Sequence, residues 1–182
     1  MSVRFPAAAW STSLKVVSLL GTVALCGVSY AAYRAVPVPS GFTHNFGLGV
    51  ALVPLAVLLG AVFFVVAGYT VEGGQLRVER LVSSTRVPLS GLRRVWVDPG
   101  VCKGSLRVVG NGGLFSFSGW FYNRRLGRYR LFATDPRSAV VLQFSDRVVV
   151  VSPATPHAFV GHLHHLMPQL LVGPEESFAA QP

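Results

Sequence analysis

Acidic residues are scarce in this chain: 7 Asp and Glu stand against 16 Lys and Arg in 182 residues, a formal net charge of +9 at pH 7. Charge of either sign is scarce as well, at 13% of residues, about half of what an ordinary soluble domain carries. Such a composition excludes a highly charged, disordered chain and argues against a purely soluble one. Two cysteines, Cys26 and Cys102, cannot build a disulfide framework. The carboxylates Glu72, Glu79, Asp98, Asp135 and Asp146 are scattered, and no pair of them is placed for acid–base work. The shortage is uneven. Between Arg34 and Glu72 there is no Asp, Glu, Lys or Arg, and all the acidic residues lie beyond position 70.

What replaces charge is apolar surface, at 51% of residues. It falls into two runs near the front, 16–33 and 46–69. About 20 apolar residues of helix cross a bilayer core, because each adds about 1.5 Å. The second run meets that length, and the first does so more narrowly, diluted by Ser18, Thr22 and Ser29. Their hydroxyls can bond their own helix carbonyls, which makes them tolerable in lipid. Gly21 and Gly27 offer small faces for a partner helix, and Cys26 reads as a small buried residue. Pro54 sits inside the second run, and Tyr30, Tyr33 and Tyr69 lie near run ends, where aromatic rings suit an interface. Basic residues flank the outer ends of the runs (Arg4 and Lys15 before, Arg77, Arg80 and Arg86 after), and the connecting loop has Arg34 alone. The expectation is a two-span hairpin over 1–69 with both termini in the cytoplasm and a short external turn through Pro37, Pro39 and Gly41.

From Thr70 the texture becomes strand-like. Gly73-Gly74 joins two short runs as a hairpin. Further strands are expected at 84–87, 92–97, 106–109, 128–133, 139–144 and 147–152, about seven in all and antiparallel, some alternating polar and apolar residues. Thr155-Pro156 opens a helix whose Phe159, Leu163, Leu166 and Leu170 share a face, and Gly173-Pro174 closes it. A domain over 70–172 is followed by a tail, 173–182, expected to be disordered. The architecture is a mainly-β split barrel plugged by its C-terminal helix.

The block Gly110-Asn111-Gly112-Gly113-Leu114-Phe115, then Gly119-Trp120-Phe121, Leu126-Gly127-Arg128-Tyr129 and Ala133-Thr134-Asp135 resembles the bacterial pleckstrin-homology-like (PH) domains of membrane-anchored bacterial proteins. Val149 to Pro153, running on to Pro156 and Phe159, resembles that family's closing strand and the start of its helix. The resemblance implies a PH-like split barrel, with two preceding spans common in the group, and says little about a ligand.

Chemistry-bearing patterns are weak. Gly110 to Gly113 lacks the third glycine of a dinucleotide fingerprint, because Phe115 stands there. Ser116 and Ser118 do not fit a nucleophile elbow. His162 and His165 could share a helix face but have no companion ligand at a matching local spacing. No catalytic residue, metal or cofactor is expected, and no nucleic-acid module is present. The remaining site candidate is the basic cluster Arg124, Arg125, Arg128 and Arg130 beside Trp120. Arginines among aromatics suit anionic headgroups at a bilayer surface. The expected protein is a non-enzymatic, multi-pass binding or scaffold protein of the bacterial inner membrane. Its partner would be a membrane protein, a second copy or anionic lipid. The alternative is a membrane enzyme with an unrecognised site.

Overall fold

The structure, a computed structural model, describes residues 2–36 and 41–174. Two long helices form the front of the chain: α1, Thr12–Arg34, and α2, Phe42–Val62. At about 1.5 Å per residue each is about 30 Å or slightly more, close to the thickness of a bilayer core. They pack on each other through small residues: Ser29 donates its hydroxyl to the Ala51 carbonyl, and Gly47 lies against Val36. Their other faces stay uncovered, with Leu19, Leu20, Val23, Phe42, Leu52 and Leu59 all at least 60% exposed. Cys26 lies on this uncovered surface rather than buried. Pro54 sits inside α2, and the helix continues through it. The expected turn at Pro37 and Pro39 and the tail from 175 lie outside the described residues.

The second apolar run does not stay helical to residue 69. α2 ends at Val62, and Val66–Glu72 is a strand, β2. The reason lies in pairing: β2 is taken up on both sides, by β1 (Val3–Pro6) and by β3 (Gln75–Arg80), and β3 in turn pairs with β4 (Ser84–Pro88). Tyr69 is therefore in the core and not at an interface. The chain's first strand and the strand that follows the hairpin share a sheet, with Phe5 opposite Tyr69. Residues 3–11 thus belong with the β-rich part, and the unit expected to start at 70 is closed by the front of the chain.

A second sheet holds β5 (Leu92–Val97), β6 (Leu106–Gly112), β7 (Phe117–Asn123), β8 (Gly127–Ala133), β9 (Val140–Phe144), β10 (Val148–Val151) and β11 (Leu171–Val172). Its order is β11-β5-β9-β10-β8-β7-β6. The pairing is not all antiparallel: β10 runs parallel to β8 and β11 parallel to β5. In the central strands of this sheet alternation does not mean one wet face, because apolar clusters lie on both sides, while β6 at its edge stays exposed. Val95, Phe132, Leu142 and Val149 join Tyr69, Leu76 and Val78 of the other sheet in one core. Trp96, Phe121, Tyr129, Leu131 and Val141 form a second cluster with Val101.

The closing helix, α3, runs Pro156–Leu166. It ends before the expected stop, because Pro168 lacks an amide hydrogen and disfavours helical geometry in Met167. Phe159, Val160 and Leu163 are buried against the first core. Leu166 is 51% exposed, and Leu170 is buried from beyond the helix end. Thr155 caps through its backbone alone.

Candidate functional site

The β7–β8 hairpin sets Trp120 opposite Arg130 and Tyr122 opposite Arg128. Residues two apart on a strand point the same way, so Arg128, Arg130 and Phe132 share a face with Trp120. The opposite face carries Phe121, Tyr129 and Leu131 into the second cluster. The Arg128 guanidinium lies 4.6 Å from the centroid of Trp120, and Arg130 lies 6.0 Å from the same ring and 4.9 Å from Phe132. Arg80, at the end of β3, approaches Phe132 to 5.4 Å and Phe64 to 5.3 Å. Cations and rings thus alternate in one ladder: Phe64, Arg80, Phe132, Arg130, Trp120, Arg128. Such stacking holds a guanidinium in place and leaves its edge donors free for an anion.

The ladder has no acidic counterpart among the described residues. Asp98 is held by Arg125 at 2.9 Å, Glu79 by Arg4 at 2.8 Å, Asp135 by Arg137 and Asp146 by Arg147. Arg80 has its pKa lowered, first by burial and then by the nearby charge of Arg130. Its Nε is buried with no hydrogen-bond partner.

The five residues of the expected basic cluster do not stay together. Trp120, Arg128 and Arg130 meet on one face. Arg124 and Arg125 sit in the turn between β7 and β8, and Arg125 is committed to Asp98. That turn is the end of the hairpin remote from the long helices, about 20 Å along six strand residues from Phe117. The near end begins at Ser116, whose hydroxyl donates to the carbonyl of Phe64, just past α2. Arg80 and Phe64 were not among the candidates. Arg80 belongs to a strand distant in sequence, and Phe64 reads as one more apolar residue of a span.

The glycine-rich block has a structural role in the near end. Gly110 and Gly119 face each other across β6 and β7 at positive φ, and a side chain on either would run into the opposite backbone. This lets the strands close tightly before the 113–116 loop, which docks on α1. Ser18 donates to the Gly113 carbonyl and accepts from the Phe115 amide at 2.8 Å. Gly21 leaves room for Leu114, and Trp10 packs beside Phe115. Phe115 is held at φ 66°, the one non-glycine residue at positive φ among those described. Gly21 therefore serves a loop of the β-rich part rather than a helix.

A clamp of buried polar groups fixes the segment before α1. The Tyr69 hydroxyl donates to the Phe132 carbonyl at 2.6 Å and accepts from the Ser152 amide at 3.0 Å. Ser152 Oγ accepts from the Thr134 amide, and Thr134 donates to the Ala8 carbonyl. Burial pushes the Tyr69 phenol up to about 12. Cys102, unpaired, has its thiol pushed up to about 11, chiefly by burial.

Compared with known proteins, residues 67–167, more than half of the chain, match the family model described as Bacterial PH domain. No curated protein and no solved structure matches.

Proposed function

We propose a membrane-anchored binding and scaffold role for this chain, which belongs to the bacterial PH domain family. The two long helices anchor it in the cytoplasmic membrane of a bacterium, with both ends of the chain in the cytoplasm. In support, both helices are long enough to span and expose apolar side chains on their outer surfaces. The β-rich domain is a ligand-holding module without catalytic chemistry of its own. Its ligand is anionic and binds the arginine–aromatic face of β7 and β8. The observation that carries this reading is the ladder itself: Arg80, Arg130 and Arg128 stand among three rings, and none of them is ion-paired to a carboxylate among the described residues.

A photo-crosslinking side chain at Tyr122, an exposed position opposite Arg128, tests it in native membranes. Adducts with an anionic ligand are expected. Reversing Arg128 and Arg130 to Glu should reduce their yield about tenfold, as losing charge-assisted hydrogen bonds would. An unchanged yield after charge reversal would sink the reading.

A further inference from the structure

We propose that Arg80 and Arg130 form a site for the phosphate group of an anionic phospholipid headgroup. This deepens the binding role above and rests on the reading of the two helices as membrane spans.

Three observations converge on it. The two guanidiniums stack on one ring, Phe132, at 5.4 and 4.9 Å, and neither forms an ion pair with a carboxylate among the described residues. Two unpaired positive charges on one ring raise the local positive potential, and an anion at their edges relieves it. Second, Arg80 Nε is buried with no partner. Buried donors are nearly always satisfied, and a phosphate oxygen satisfies a guanidinium fork with short, charge-assisted bonds. Third, the site lies where a lipid phosphate would be. Arg80 stacks on Phe64, two residues beyond the end of α2. The next turn exposes Leu81 at 62% and Val82 at 66%, and the Leu81 amide bonds the Val65 carbonyl at the foot of α2. At the end of the neighbouring hairpin, Leu114 and Phe115 lie against α1.

Exposed apolar side chains therefore border Arg80 close to where α2 ends. Such side chains gain by burial at the boundary between headgroups and acyl chains. A site for soluble phosphate has no need of that rim, so the lipid is the source the surroundings favour.

The test uses the full chain in neutral detergent micelles, supplied with phosphatidylglycerol or phosphatidylcholine and examined by native mass spectrometry. The wild type should hold phosphatidylglycerol about tenfold more than phosphatidylcholine, and inorganic phosphate in large excess should not displace it. Arg130→Gln should remove the preference, Arg80→Lys should keep part of it, and Arg124→Ser should leave it intact. Because Arg80→Gln risks unfolding a side chain stacked between rings, Arg130→Gln with an unchanged melting temperature carries the decision. Retention of the preference in that variant overturns the site. Displacement by inorganic phosphate overturns the lipid as its source. Alkaline carbonate extraction tests the spans apart from the site: release of the chain from membranes would overturn the anchoring, whatever the arginines bind.

Discussion

Tyr69 joins strands of both sheets through one oxygen, donating to Phe132 and accepting from Ser152. Tyr69→Phe keeps the ring but strands a buried carbonyl and a buried amide. The expected loss is about 1–3 kcal/mol, read as a lower melting temperature of the full chain in micelles. The same hydroxyl predicts a pH response. Its folded pKa of about 12 exceeds the value near 10 of an exposed tyrosine, so the folded state holds its proton more tightly. Its contribution is complete below pH 10 and is lost as pH rises from about 10 to 12. Alkaline denaturation curves of wild type and Tyr69→Phe should converge over that window. Parallel curves would show that the phenol does not couple to folding.

Among the elements, α3 offers a paired test. Leu163 is fully buried and Leu166 is 51% exposed, though both are apolar and three residues apart. Leu163→Asp should cost several kcal/mol and unfold the domain. Leu166→Asp should change stability by about 0.5 kcal/mol or less. Equal effects would mean that the helix does not close the core as described. The sequence alone could not separate these residues, because a helical stripe through Leu170 ignores the stop that Pro168 imposes. Local signals carried much of the rest. The Gly73-Gly74 hairpin, the strand at Leu92–Val97 and the turn at Ser145-Asp146 are all present. What stayed hidden was non-local. β1 has four residues and a partner on the far side of two helices, so no turn signal announces it. The start of β2 is apolar because it is buried, which makes it look like more of a span. In the site, the grouping of Trp120 with Arg128 and Arg130 was legible from their closeness along the chain, but the strand Phe117–Asn123 that pairs them was not among the expected ones. Arg80 was not, because only the closure of one sheet against the other brings it to Phe132.

For the whole molecule, α1 enters and α2 leaves at the same rim. The pairing of β1 with β2 places both outer ends of the hairpin at one sheet, consistent with the basic residues that flank both ends. A reporter fused after Pro182 should therefore be active only in the cytoplasm, and alkaline-phosphatase activity from that fusion would reverse the orientation. The docked 113–116 loop adds rigidity to the arrangement. With Ser18, Gly21 and Phe64 all engaged, the arginine ladder keeps a set height and bearing relative to the helices and does not swing on a linker.

Joining β1 to β2 also sets an order of events during synthesis. The first strand leaves the ribosome some sixty residues before its partner and has no edge to join until both helices have been made and β2 has followed. Its amide and carbonyl groups wait in water meanwhile. If the hairpin were inserted with only one helix across, or the wrong way round for one end, β1 and β2 would emerge in different compartments. The four-stranded sheet would then lack its edge, and the Tyr69, Thr134 and Ser152 clamp would lack Ala8. The fold thus requires both ends of the helical hairpin to reach one place, since only there can β1 close the sheet.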